Sequence, residues 1–405
     1  MVESLWLLCG LWCGVGGDLS SRDCAATDLA RSTAAPIEFS ARSELDIAVA
    51  RLRSALFRPI DGTAIPRTVA KDGRPVGTAS REWTSGFYPG LLWLMYEYSR
   101  DAQFERAARQ WTELLEQEKK NTSTHDVGFI IYTSFGNGYR LTGDEHYRTV
   151  VIDAARSLTT RFNAKVGAIR SWDFGPWKYP VVIDNMINLE LLFVATRLTG
   201  DPHYRDIAVA HANTTLREHF RNDGSSYHVV DFDPLTGAVR SKGTLQGARD
   251  DSAWARGQAW AVYGFTMAYR ETRDPKYLRQ AEASAAFILD HLPPDFVPYW
   301  DYSVSSRAQT PRDASAAAIA AAALYELTEF TATHRLRYRL AADRMLASLS
   351  TTYRATGAGH SFLLLHSTGN FPQKAEIDVP LIYADYYYVQ ALLRRLRAGA
   401  QASSH

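Results

Sequence analysis

The sequence predicts an all-α fold, an (α/α)6 barrel in which six outer and six inner helices alternate as six helical hairpins. Three observations point there. A unit recurs in which a short turn precedes an Asp, an aromatic residue follows three positions later, and an Ala-rich helix follows that. Two helix types alternate along the chain, one amphipathic and one apolar nearly all round. Strand signals are few.

The recurring unit appears at Ser99-Arg100-Asp101 with Phe104, Thr142-Gly143-Asp144 with Tyr147, Thr199-Gly200-Asp201 with Tyr204 and Thr272-Arg273-Asp274 with Tyr277. A degraded copy runs from Thr333 to Tyr338. Gly143 and Gly200 suit a left-handed helix end, Asp144 and Asp201 suit the next N-cap, and Pro202 and Pro275 suit a first helical position, where no N–H is needed. Outer helices are expected over 43–56, 102–118, 144–162, 201–220, 274–291 and 335–353, with charges on one face and Ala or Leu on the other. Inner helices are expected over 84–99, 126–141, 184–198, 255–271, 313–329 and 378–396, where Gly, Ala and aromatics predominate. Tyr227 to Val230 and Phe362 to Leu365 are the short strand candidates. Inner helices that run the same way gather their N-termini at one end of the barrel. Partial positive charge and free N–H groups gather with them and favour an anionic ligand there.

Length alone would suggest two or three domains at about 150 residues each. The repeat argues for one barrel domain over 37–398, preceded by a leader or disordered segment over 1–36. Hydrophobic residues make up 46% and charged residues 22%, which excludes a fibrous or extensively disordered chain. Lys+Arg is 45 against Asp+Glu 44, so no field of one sign marks a dedicated nucleic-acid binder. Cys9, Cys13 and Cys24 all lie near the N-terminus, so the body holds no disulfide framework, thiol nucleophile or Cys-based metal site. No apolar run reaches the roughly 18 residues of a membrane-spanning helix. Leu5 to Gly17 has the apolar character of a signal-peptide core, yet Glu3 and no Lys or Arg precedes it. His125, His228 and His360 are scattered without metal-ligand spacing, and no Gly-Lys-Ser or Gly-Lys-Thr run offers a phosphate loop. No metal or organic cofactor is expected. Asn121-Thr122-Ser123 and Asn213-Thr214-Thr215 match glycosylation sequons.

The chemistry-bearing residues cluster at the inner-helix starts. Asp126 and Asp184 stand at the same level on neighbouring helices, either as N-caps or as a carboxylate pair for acid and base work. The apolar run Tyr179-Pro180-Val181-Val182-Ile183 leads into Asp184 and would leave that carboxyl poorly hydrated. Arg256 lies between Trp254 and Trp260; it either offers a bidentate fork to a substrate carboxylate or pairs with Asp250 or Asp251. Tryptophans 83, 172, 177, 254 and 260 form either a sugar-stacking wall or barrel core.

Five stretches in order carry a resemblance: Trp83 to Gly90 (WTSGFYPG), His125 to Phe129 (HDVGF), Asp184 to Glu190 (DNMINLE), Asp250 to Trp260 (DDSAWARGQAW) and Asp378 to Tyr387 (DVPLIYADYY). With these, residues 40 to 398 resemble the unsaturated glucuronyl hydrolases of glycoside hydrolase family 88. The resemblance implies the same barrel. It implies a substrate left by polysaccharide lyases, an oligosaccharide ending in a uronate with a C4=C5 double bond. It implies hydration of that vinyl ether, after which the hemiketal opens and the glycosidic bond falls apart. Matched position by position, Asp184 is similar to the family's general acid/base and Asp126 to its second carboxylate. His125, His228, Gln246 and Arg256 match pocket residues, Trp83, Trp172 and Trp260 match stacking walls, and Ser367 lies in a loop (365–370) that resembles one near the substrate's polar groups. Many members are cytosolic, whereas residues 1–24 leave a periplasmic or secreted location open. The alternatives are an unsaturated rhamnogalacturonyl hydrolase, against which Gln258 counts, an ordinary inverting glycosidase, a sugar epimerase with paired histidines, and a non-catalytic sugar-binding barrel.

Overall fold

The turns set the frame. In the computed structural model, which describes residues 39–402 apart from 55, 57–63, 71, 306–308 and 358–360, four Asp residues cap the helices that follow them. Asp101, Asp144, Asp201 and Asp274 accept the backbone N–H of Gln103, His146, His203 and Lys276. Gly143 and Gly200 take the expected left-handed conformation, at φ 71° and 76°. Arg100 and Arg273 take it at the equivalent turns, at φ 55° and 58°, so the geometry repeats where the glycine does not. The expected leader and its apolar run lie outside the described residues.

Twelve α-helices follow among the described residues. The outer ones are α1 (Ala41–Arg53), α3 (Ala102–Glu113), α5 (Glu145–Thr159), α7 (Pro202–Glu218), α9 (Pro275–His291) and α11 (Arg335–Thr351). The inner ones are α2 (Phe87–Ser99), α4 (Asn137–Thr142), α6 (Asn185–Thr199), α8 (Ala255–Thr272), α10 (Ala314–Leu327) and α12 (Ile382–Ala402). The short α4 continues a π-helix over Gly128–Gly136, and together these two form the second inner segment. Each inner segment packs on the next, and α12 returns to α2, which closes the ring. Every outer helix packs on an inner one. The described structure is therefore an (α/α)6 barrel. Inner helices bury nearly every side chain: α10 (ASAAAIAAAALYEL) is buried along its whole length, whereas α3 buries Phe104, Ala107, Ala108 and Thr112 along one stripe. No helix among the described residues is long and apolar enough to cross a membrane.

The second inner segment departs from the expected α-helix. Thr133 and Ser134 turn their hydroxyls back onto the carbonyls of Phe129 and Ile130. Such back-bonding competes with the helical ladder. At Gly128 any β-carbon would meet Asn188 Cα at 2.5 Å, so glycine lets the widened turn press against α6.

Small antiparallel sheets occupy the inner-helix N-terminal end. They are β1 (Ile65–Val69) with β2 (Pro75–Thr78), β3 (Phe162–Asn163) with β4 (Ala168–Ile169), the three-stranded β5 (Pro180–Val182), β6 (Val229–Phe232) and β7 (Val239–Gly243), and β8 (Ser367–Asn370) with β9 (Ala375–Val379). The strand expected from Tyr227 begins two residues later, where Val229 pairs with Val182. Phe362 to Leu365 is not a strand. It makes one bridge, Leu364 to Arg354. The buried Asp385 holds it instead, accepting the N–H groups of Leu363 at 2.8 Å and Leu364 at 3.0 Å. Burial pushes the Asp385 carboxyl up to about 8.

Candidate active site

A cavity of about 600 Å³ opens at the inner-helix N-terminal end. Asp126 and Asp184 both line it. Asp184 occupies the N-cap position of α6, yet its side chain makes no capping bond. Its backbone is already near-helical, at φ −65° and ψ −20°, whereas capping geometry is extended. Asp126 takes a hydrogen bond from the hydroxyl of Thr124 at 2.7 Å and also caps nothing. The capping alternative therefore fails for both carboxylates. β5 delivers Asp184 to the cavity with Val181, Val182 and Ile183 fully buried behind it. Burial in that dry wall, then the nearby charge of Asp126, raises the Asp184 carboxyl to about 7, and Arg256 opposes the shift.

Two histidines face the carboxylates, with their tautomers set by the donors on Nδ1, backbone N–H groups for His228 and the Asn188 amide for His125. His228 Nδ1 accepts the N–H groups of Leu245 at 3.2 Å and Gln246 at 3.3 Å. The ring proton therefore sits on Nε2, which stands 4.0 Å from Asp184 Oδ1. Neither of those two atoms has a protein hydrogen-bond partner. Burial lowers the imidazolium pKa of His228 to about 3, so its ring is neutral at ordinary pH. On the other carboxylate, Phe129 N–H donates to Asn188 Oδ1 at 2.7 Å, which orients that amide. Asn188 Nδ2 then donates to His125 Nδ1 at 3.2 Å, leaving the ring proton on Nε2, which stands 3.3 Å from Asp126 Oδ1. Burial likewise holds His125 below the usual histidine range.

Of the other expected residues, Trp83, Trp172, Trp260, Gln246, His125 and Arg256 line the cavity. Trp83 tilts over Tyr383 at 4.8 Å, Trp172 is stacked by Phe174 at 5.0 Å, and Gln246 Nε2 donates to the Gly369 carbonyl at 2.9 Å. His228 lies behind the wall, against Trp254 at 4.5 Å. Two expectations need correction. The fork of Arg256 is occupied: Nη1 bonds Asp313 at 2.9 Å and the Thr368 carbonyl at 2.7 Å, and Nη2 bonds the Gly369 carbonyl at 2.6 Å. Its partner is thus Asp313, the N-cap of α10, and neither Asp250 nor Asp251; only Nε lacks a protein partner. Ser367 is fully buried and is not a cavity residue, and Gly369 and Asn370 of the same hairpin are. Gln258, which counted only as a motif residue, bonds Ser226 and the Trp254 carbonyl and does not line the cavity.

Sequence reasoning missed Thr124, Asn188, Asp313, and Arg67 with its carboxylate pair. Arg67 bonds Glu376 through Nε at 2.5 Å and Nη2 at 2.9 Å and also meets Glu82. This braces the first inner-helix approach against β9. Asn188 sits within a quoted motif, but its partner is 63 positions away, a separation at which spacing carries no signal.

The chain matches known proteins over most of its length. The family model described as Glycosyl Hydrolase Family 88 matches residues 67–293. An unsaturated glucuronyl hydrolase from Formosa agariphila is 47% identical over 353 residues, covering 85% of this chain and 88% of that protein. An unsaturated chondroitin disaccharide hydrolase from Streptococcus pneumoniae is 37% identical over 325 residues, covering 77% and 81%. A solved unsaturated glucuronyl hydrolase specific for heparin superposes with a TM-score of 0.86 at 44% identity, covering 89% of this chain and 98% of that one.

Proposed function

This chain belongs to glycosyl hydrolase family 88, and from that premise we propose that it is an unsaturated glucuronyl hydrolase. It hydrates the C4=C5 double bond of the unsaturated uronate at the non-reducing end of lyase-made oligosaccharides and releases that uronate in its keto form. The observation that carries the reading is Asp184: a carboxyl raised to about 7, unused for capping, in a Trp-lined cavity beside a second carboxylate.

Protonating a carbon needs an acid that still holds its proton near neutral pH. In this reading Asp184 delivers that proton to C4. Positive charge develops at C5 and the ring oxygen, where the carboxylates stabilise it. A water molecule adds at C5 and returns its proton to Asp184. The C5 hemiketal then opens, and the C1–O bond to the departing sugar breaks. Nε2–H of His228 and Oδ1 of Asp184 face each other across 4.0 Å, both buried and neither with a protein hydrogen-bond partner. His125, oriented by Asn188, sets its Nε2 3.3 Å from Asp126 Oδ1.

The test follows the ultraviolet absorbance of the conjugated double bond in lyase-made unsaturated disaccharides. The protein is expected to abolish that absorbance and to leave saturated glycosides intact. The reverse preference would contradict the reading and favour an ordinary glycosidase. Within this mechanism, Asn188→Leu is expected to lower kcat/KM by roughly 2- to 10-fold, the worth of one hydrogen bond between neutral groups. Unchanged kinetics in that variant would remove Asn188 from the relay.

A further inference from the structure

A second cavity of about 440 Å³ adjoins the first, and Asp173 lines both. Two stretches of chain run from one to the other. Ser123 to Asp126 and Trp172 to Phe174 face the main cavity, while Thr122 and Arg170 face the annex. Phe174 is 58% exposed, unusual for a Phe, and lies nearly parallel to Trp172 at an interplanar angle of 17°. An exposed flat ring at a cavity mouth suits the face of a sugar.

The annex is cationic. Arg161 and Arg170 converge on the single carboxylate of Asp173. Arg161 is held through all three of its nitrogens, bonding both Asp173 oxygens and the carbonyls of Arg170 and Thr122. Arg170 is not. Its Nε stands 3.1 Å from Asp173 Oδ1 without hydrogen-bond alignment, and its side chain is one-third exposed. One carboxylate between two guanidinium groups leaves one unit of positive charge to be met by something else.

We propose that the annex is a subsite for an anionic group, a sulfate ester or a carboxylate, on the saccharide beyond the scissile bond. Phe174 is the platform that leads the sugar chain out of the main cavity, and Arg170 is the cation that reads its charge. The inference rests on the hydrolase reading and extends it to the substrate's departing side.

Three unsaturated substrates test it: an unsulfated disaccharide, its sulfated counterpart, and an unsulfated tetrasaccharide carrying a second uronate. Arg170→Ala is expected to raise KM for the sulfated disaccharide, the tetrasaccharide or both, roughly 5- to 20-fold relative to the unsulfated disaccharide. Which substrate responds identifies the anion as sulfate or carboxylate. Thr122→Glu, at an exposed position, places a carboxylate in the annex and is expected to shift the same KM ratio in the same direction. Wild-type ratios in both variants would overturn the subsite and leave the hydrolase reading standing. If the wild-type protein cleaved none of the three, the hydrolase reading itself would fail. Calorimetric binding of the sulfated disaccharide and the tetrasaccharide to wild type and Arg170→Ala would then decide the annex, with equal affinities for both ligands overturning it.

Discussion

Asp184→Asn is expected to slow turnover of an unsaturated disaccharide by roughly 100- to 10,000-fold, the range for loss of a general acid/base. Binding should change little, because the amide keeps the shape of the carboxyl. Stopped activity with an unchanged Kd, measured by calorimetry, is the predicted pair of results; near-wild-type turnover would refute the assignment. The same variant carries a stability signature. The folded carboxyl titrates near 7 rather than at an ordinary 3.8, so between those values the native state holds a proton that the unfolded chain has released. Its contribution therefore favours folding at low pH and declines as pH rises from about 4 to 7, by on the order of 4 kcal/mol in total. Asparagine removes this slope. Asp184→Asn should accordingly gain denaturation midpoint over wild type at pH 8 relative to pH 4.

Arg256→Ala is expected to cost roughly 3–5 kcal/mol of stability, since it leaves the fully buried Asp313 without its ion-pair partner. The Thr368 carbonyl loses its Arg256 donor in the same step and the Gly369 carbonyl keeps only Gln246, so the β8 hairpin bordering the cavity loosens and KM rises. Converting both partners to apolar residues, Arg256→Met with Asp313→Leu, should recover much of the stability without restoring KM. Urea denaturation of the two variants beside wild type checks this, and an Arg256→Ala protein as stable as wild type would dismiss the pair. A role in gripping the uronate alone would have moved KM and left stability untouched.

The barrel was legible because its signals are local. An Asp at a turn followed by an aromatic three positions on marks four of the outer helices, and inner helices such as α10 are apolar on every face. The left-handed arginines and the π-helix were not legible. Arg100 and Arg273 have no intrinsic preference for that conformation, and the π-helix arises from back-bonded hydroxyls and a glycine pressed against α6. Strands of two to five residues are too short for alternation to register, which is why β8 went unseen beside the false strand at Phe362.

The site was legible at the residues that family motifs carry and illegible in their partners. Asp126, Asp184, Trp83, Trp172, Trp254, Trp260 and Gln246 meet in one cavity, and Trp177 of the expected wall does not line it. Arg256 was matched to neighbours in sequence, but ring closure brings it the cap of the next inner helix, 57 positions on. Ser367 was placed by its loop, and a motif does not show which way a hairpin residue faces.

The central claim is that Asp184 keeps its proton near neutral pH because it is buried beside Asp126. Infrared difference titration of its carboxyl band, with Asp184→Asn as the reference, measures this directly. The account predicts a midpoint near 7 in the wild-type protein. In Asp126→Asn the midpoint should fall yet stay above the ordinary aspartate range, since burial is the larger cause. A wild-type midpoint near 4, unmoved by the Asp126 substitution, would contradict it.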